Sequence, residues 1–290
     1  MTPLEYEFLR KLLKERSGLD LSSDKQYLVE SRLIPLARRA GLADLAELVQ
    51  KIKSGAEALT SDVVEAMTTN ETFFFRDKIP FDHLRQTILP ALVQARAHRR
   101  SLRIWCAASS TGQEPYSIAM YVKEFAALAG WRVEIVATDL SNEVLEKSKA
   151  GIYSQFEVQR GLPIQMLVRY FTQIGELWQL NPDIRAMVTH RQLNLLEDFS
   201  HIGTFDVIFC RNVLIYFDQE TKTGVFERLA RSIEPDGVVA LGAAESVVGI
   251  TDAFKPCPDR RGIYRPNADR SARGGAAPLM PHGFRVVAAR

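Results

Sequence analysis

The run Leu102-Arg103-Ile104-Trp105-Cys106-Ala107-Ala108-Ser109-Ser110-Thr111-Gly112-Gln113-Glu114-Pro115-Tyr116-Ser117 decides the fold. Residues 102–107 read as a buried strand and the small residues after them as a turn. Residues 115–128 read as an amphipathic helix with Pro115 in its first turn, where a missing N–H is harmless. The unit recurs downstream: strand 133–138 and helix 143–150, then strand 205–210, helix 220–233, strand 237–242 and a further strand near 262–265. Near-continuous apolar strands alternating with helices predict an α/β domain, a largely parallel sheet covered on both faces.

The rhythm breaks between residues 152 and 192. There Gly161-Leu162-Pro163 punctuates, 170–180 has strand character and Asn181-Pro182-Asp183 signals a turn, so an inserted helix with a small antiparallel β subdomain is expected. Upstream, residues 1–76 read as an all-α N-terminal domain. Leu4, Phe8, Leu9, Leu12 and Leu13 recur at helical spacing up to Gly18. Ser23 with Gln26 is a capping-box pattern for a second helix ending at Gly41, whose exposed side would carry Arg32, Arg38 and Arg39. A third helix follows around Leu45 to Ile52, and Asp62 with Glu65 could cap a fourth. Residues 77–100 suggest a linking helix, 101–266 the α/β domain, and 267–290 a Gly-, Ala-, Pro- and Arg-rich tail without order of its own. The adjacent Phe73, Phe74 and Phe75 do not fit one helix face and are expected to fill the domain junction.

Composition narrows the function classes. Lys+Arg 37 against Asp+Glu 35 gives a net charge of +2, so no global basic field marks a nucleic-acid binder. Cys106, Cys210 and Cys257 are too scattered for a disulfide framework or a zinc knuckle, and Cys106 and Cys210 are expected as small buried hydrophobes. The five histidines are dispersed, with no metal cluster and no Ser-His-Asp arrangement. No apolar run is long enough to span a bilayer, and a reducing, cytoplasmic setting is expected.

In an open parallel sheet, ligands bind beyond the carboxyl ends of the strands. Three such ends stand out. Residues 106–115 offer small side chains that let a ligand approach the backbone, but not the spaced glycines of a dinucleotide fingerprint, which speaks against an oxidoreductase. Glu114 at that helix start suits an amino group or a cation better than a phosphate. Asp139, ending the second strand, is placed either to accept ribose hydroxyls or to cap the helix after it. Arg211 and Asn212 follow an apolar strand and need a partner or solvent. Arg76 is open to two readings, an interdomain salt bridge or a site residue.

Four blocks in this order resemble the CheR family of S-adenosylmethionine-dependent chemotaxis-receptor glutamate methyltransferases: Thr69-Asn70-Glu71-Thr72-Phe73-Phe74-Phe75-Arg76, Ser110-Thr111-Gly112-Gln113-Glu114-Pro115-Tyr116-Ser117, Ala137-Thr138-Asp139, and Phe205-Asp206-Val207-Ile208-Phe209-Cys210-Arg211-Asn212-Val213-Leu214-Ile215-Tyr216-Phe217. The resemblance covers about residues 4–266. It implies a Rossmann-like class I methyltransferase domain with the inserted β subdomain behind the helical domain, and S-adenosylmethionine as cofactor with S-adenosylhomocysteine as product. It further implies that Asn70, Thr72 and Arg76 reach the cofactor from the junction, that Glu114 lies by its methionine part and Asp139 by its ribose, and that Asn194 and Leu195 flank the adenine. Arg211 and Asn212 would lie on the cofactor's far side, with Arg76 and Tyr216 facing the methyl-accepting carboxylate.

The expected reaction is esterification of glutamates in the cytoplasmic helical bundle of a chemoreceptor, with Arg32, Arg38 and Arg39 as a docking face. The alternative is a non-catalytic cofactor-sensing adaptor. Nitrogen methylation is disfavoured because Arg211-Asn212-Val213-Leu214 lacks the Asn/Asp-Pro-Pro-aromatic run. The insert is short compared with members that capture a receptor tail peptide, so a form independent of that peptide is expected.

Overall fold

The computed structural model describes residues 1–271. Four helices, α1 (Pro3–Ser17), α2 (Gln26–Arg39), α3 (Leu45–Lys53) and α4 (Glu57–Met67), pack around Leu9, Leu13, Val29, Leu33, Leu48, Val49, Val63 and Met67. Thr2 and Glu5 form the capping box of α1, and Gly18 closes it at φ 78°. Two expected caps are corrected. The N-cap of α2 is Lys25 with no side-chain bond, and Ser23 lies two residues ahead of it, in the turn where the Ser22 hydroxyl donates to Asp24. Asp62 lies inside α4, which starts at Glu57.

Arg32 does not belong to the exposed face of α2. Its guanidinium donates to the carbonyls of Met67 (2.6 Å) and Thr68 (2.8 Å) and to Thr69 Oγ1 (3.1 Å), which ties α2 to the end of α4. Arg38 and Arg39 are exposed.

The expected linking helix is shorter and broken. It comprises α5 (Ile79–His83), a π-helical turn at Leu84–Ile88 and α6 (Leu89–Ala95). Asp77 and Lys78 have φ values of 64° and 47°, so the chain arrives in a left-handed bend that no helix can include. Below the sheet Arg96 anchors this connection by a 2.7 Å ion pair to the buried Asp206.

The main sheet contains β1 (Ser101–Ala107), β2 (Arg132–Asp139), β6 (Val188–Gln192), β7 (Phe205–Cys210), β8 (Ile233–Leu241), β9 (Phe254–Pro256) and β10 (Ile263–Pro266), in the order β6-β2-β1-β7-β8-β10-β9. The pairs from β6 to β8 are parallel, whereas β10 runs antiparallel to β8 and β9. Both faces are covered. Ile104, Cys106, Val207 and Phe209 enter one core, and Trp105, Ala107, Ile208 and Cys210 the other. That is the physical reason these strands read as near-continuous apolar runs, broken only near their starts by Arg103 in β1 and Asp206 in β7. Helices α7 (Gln113–Glu124), α8 (Asn142–Ala150) and α12 (Gln219–Arg231) connect them. The expected run to 128 ends as a separate 3₁₀ turn at Ala126–Leu128.

The insert is a three-stranded antiparallel sheet, β3 (Ile152–Ser154), β5 (Leu177–Leu180) and β4 (Phe171–Ile174), with α9 (Gln155–Gln159), α10 (Ile164–Tyr170) and α11 (Pro182–Arg185). Its expected end at residue 192 is corrected. Val188–Gln192 leaves the insert and pairs in parallel with Ile135–Asp139 of the main sheet. The phenylalanine triplet is likewise relocated. Phe74 sits against Tyr153 (5.1 Å between ring centroids) and Phe171 (5.7 Å), and Phe75 against Tyr121 (4.9 Å) and Phe81 (5.3 Å), all in the α/β core. Only Phe73 stays half-buried at the surface of the junction. Of the tail, Asn267 donates to the carbonyls of Asp252 and Ala253, and residues 272–290 lie outside the described residues.

Candidate active site

The strand order reverses at β1, which has β2 on one side and β7 on the other. A crevice opens there beyond the carboxyl ends, as parallel α/β sheets require. The helical domain roofs it, so one cleft is lined by Ser17, Leu19 and Met67–Thr72 from above and by the ends of β1, β2, β6 and β7 from below. Asn70, Thr72, Arg76, Glu114, Asp139, Asn194, Leu195, Arg211, Asn212 and Tyr216 all border this cavity. The structure thus brings every expected site residue together.

The loop after β1 makes the floor. Ala108, Ser110 and Gly112 take φ values of 60°, 49° and 94°, so the backbone coils tightly before α7. A Cβ on Gly112 would stand 2.1 Å from Ser148 Oγ, so only glycine fits this helix start. Ser110 joins three parts of the site. Its N–H donates to Asp139 Oδ2 (2.8 Å) and its hydroxyl to the Asn70 carbonyl (2.8 Å), which couples the roof to the floor.

Asp139 accepts from the Ser110 and Ser141 N–H groups, while Ser141 itself caps α8 through its hydroxyl. The carboxylate is therefore not the helix cap, the other reading of this residue. Burial pushes its carboxyl upward against those N–H bonds, and it still borders the cavity.

Arg211, 5% exposed, donates to Glu114 Oε2 (2.7 Å), Asp77 Oδ2 (2.8 Å) and the Arg76 carbonyl (2.8 Å). Burial raises the Glu114 carboxyl, and the Arg211 charge opposes the shift. Arg211 thereby ties the roof segment 76–77 to the start of α7. Arg76 makes no interdomain salt bridge among the described residues. Its Nη1 donates to the Glu71 carbonyl (2.6 Å) and its guanidinium lies 5.7 Å from the Phe73 ring centroid. Asn194 faces the cleft with its side chain engaged: Nδ2 donates to the Arg16 carbonyl (2.8 Å) and Oδ1 accepts from the Leu196 N–H (3.0 Å). Tyr216 is held by its own carbonyl, which accepts from the Asp20 N–H (2.9 Å).

Two features escape sequence reasoning. Ser109 and Arg211 border the cavity, and their Oγ and Nε atoms are buried with no hydrogen-bond partner among the described residues. Such orphaned polar atoms fit a polar ligand that completes them. The second is Glu245, at a fourth strand end, which collects backbone N–H groups beside Asn212. Its only signal was an acid just after the small residues Gly242-Ala243-Ala244. Cys106 and Cys210 are fully buried with thiols pushed up by burial, as expected of packing residues. Among the described residues no His, Cys, Asp and Glu group is arranged to hold a metal.

A doubly wound sheet with this strand order, a small-residue floor without spaced glycines and an acid closing the second strand fits the class I S-adenosylmethionine-dependent methyltransferases. Residues 70–263 match the family model described as the SAM-binding domain of CheR methyltransferase and residues 4–68 its all-alpha domain, so the chain belongs to the CheR methyltransferase family. It is 45% identical over 258 residues to "Chemotaxis protein methyltransferase 1" of Pseudomonas aeruginosa, covering 87% of this chain and 93% of the relative. It is 42% identical to "Chemotaxis protein methyltransferase Cher2" of Pseudomonas putida, covering 87% and 94%. It is 34% identical over 250 residues to "Chemotaxis protein methyltransferase" of Salmonella typhimurium, covering 84% of each. S-adenosylmethionine-dependent methylation in chemotaxis is accordingly this chain's activity, and no described helix is long and apolar enough to cross a membrane.

Proposed function

We propose that the methyl acceptor is a glutamate side chain in the cytoplasmic helices of a chemoreceptor, and that Arg76 and Tyr216 hold it. The observation that carries this reading is that both line one cleft, Arg76 from the roof and Tyr216 from the loop after β7. Bound S-adenosylmethionine supplies a sulfonium-borne methyl for in-line displacement. A glutamate, ordinary pKa about 4.3, is already an anion at neutral pH, so the chain need provide no general base. Its task is positioning.

The Arg76 guanidinium grips the carboxylate through paired donors and the Tyr216 hydroxyl orients one oxygen. Asn70 and Thr72 close the cofactor space from above, Asp139 receives the ribose hydroxyls, and Leu195 with the Asn194 backbone flanks the adenine. Glu114 faces the methionine part, and Arg211 with Asn212 closes the far side. Arg38 and Arg39, exposed on α2, form the basic face toward the acidic receptor helices, without Arg32. The segments around Phe171–Ile174 and Leu177–Leu180 are short, which favours action independent of a receptor tail peptide.

The test is incubation with tritiated S-adenosylmethionine and receptor cytoplasmic domain, followed by mild base. Label released as methanol identifies a carboxyl methyl ester, and peptide mapping must place it on glutamate; base-stable label, none, or an ester on another residue overturns the reading.

A further inference from the structure

We infer that Glu245 is a positioning residue that sets the shape of the catalytic loop 211–216 without touching either substrate. Its carboxylate, 8% exposed, follows β8 by four residues and is not among the residues that line the cleft. Oε2 accepts from the N–H groups of Gly242 (2.7 Å) and Asn212 (2.8 Å). Oε1 accepts from Val213 (2.9 Å), Leu214 (2.8 Å) and, at longer range, Ile215 (3.3 Å). A carboxylate offers about four lone-pair sites, and here backbone donors occupy them all.

The cause is local. Asn212 takes a left-handed φ of 59°, so the chain turns sharply after β7 and its next amides converge on one point. Consecutive N–H groups that converge in this way form an anion-binding nest. Here the nest is filled from within the chain, by the carboxylate of the neighbouring strand end. Room for it depends on Gly242, where a Cβ would stand 2.7 Å from Glu245 Oε2 and 2.8 Å from Asn212 Nδ2.

The clamped stretch carries Arg211, Asn212 and Tyr216 to the cavity. Its far end is held by the helical domain, through the Asp20 N–H on the Tyr216 carbonyl and a 2.5 Å ion pair of Lys14 with Asp218. Glu245 therefore decides where these groups stand while the sheet and α12 are built independently of it. This inference rests on the proposed roles of Arg211, Asn212 and Tyr216.

The test is Glu245→Gln in the full chain, an isosteric change that turns one acceptor oxygen into a donor facing N–H groups. Phe226→Leu, on the buried face of α12, serves as a reference of comparable lost stability. Calorimetry with S-adenosylhomocysteine should show affinity reduced by about tenfold or more. Methylation should show kcat reduced by about 100-fold, the scale of a small misplacement of reacting groups, with the receptor KM unchanged. Phe226→Leu should keep both. A Glu245→Gln enzyme that binds and turns over like wild type overturns the inference, and so does an equal loss in Phe226→Leu. Should Glu245→Gln not fold, hydrogen exchange on wild type decides: the amides of Asn212, Val213 and Leu214 must exchange slowly, and solvent-like exchange overturns the inference. A wild-type protein that binds S-adenosylhomocysteine but esterifies no glutamate sinks the substrate reading and leaves the binding arm intact.

Discussion

Arg76 has N–H groups to spare. Nη1 is committed to the Glu71 carbonyl, and no other of its nitrogens has a hydrogen-bond partner among the described residues. Arg76→Ala is expected to leave S-adenosylhomocysteine affinity within several-fold, by calorimetry, while receptor methylation falls about 100-fold or more, as for loss of an electrostatic anchor. Unchanged turnover would remove Arg76 from the mechanism. Arg211 differs because it is buried and paired with Glu114. Arg211→Met leaves that carboxylate without its partner and should cost about 3–5 kcal/mol in urea unfolding. Adding Glu114→Gln should recover part of the loss, since the two sites share one interaction. Additive losses would show that the pair is not coupled.

At the scale of elements, legibility followed periodicity. Strand 205–210 and the β1 strand could be placed because both faces of the sheet are buried and the runs 207–210 and 104–107 are apolar throughout. Val188–Gln192 was hidden since it is an edge strand of the parallel sheet, with Thr189, Arg191 and Gln192 partly or fully exposed and only Val188 buried. The phenylalanine triplet was misread for a different reason. The left-handed bend at Phe75 (φ 52°) sends Phe74 and Phe75 down into the core and turns Arg76 out into the cleft, and spacing carries no sign of such a bend. Glu114, Asp139, Arg211 and Asn212 stood out at strand ends and Arg76 beside the phenylalanines, the other expected site residues came only through the resemblance, and Ser109 and Glu245 depend on three-dimensional partners that no local pattern encodes.

The edge strand also brings a pH effect. His190 on β6 shares a 2.7 Å hydrogen bond with Ser148 of α8, and burial lowers its pKa from 6.5 to about 4. The unfolded chain then binds a proton between these values that the folded chain refuses, so stability is full above pH 6.5 and declines as pH falls toward about 4. Thermal melts of wild type and His190→Gln should converge across that window. A constant difference from pH 7 to pH 4 would assign the loss to packing alone.

For the whole molecule, the question is whether helical roof and sheet act as one body. Leu140 packs against the helical core, and the hydrogen bonds between the two are specific: Glu65 accepts from the Ser141 hydroxyl (2.5 Å) and the Glu143 N–H (2.7 Å), Asn194 donates to the Arg16 carbonyl, and Ser110 to the Asn70 carbonyl. None of these bonds lies deep in either core, so the roof can in principle loosen while its own helices persist. The cleft, however, takes its lining from both sides. A ligand that needs both walls favours the closed arrangement by the free energy of its binding. At 100 times its Kd, S-adenosylhomocysteine should stabilise the native state by about 2.7 kcal/mol. Hydrogen exchange locates that gain. If the walls are coupled through the ligand, amides at the ends of α1 and α4 should slow together with those after β1 and β7. Protection confined to the sheet would mean that the cofactor binds the α/β domain alone and that the helical domain contributes only to meeting the receptor.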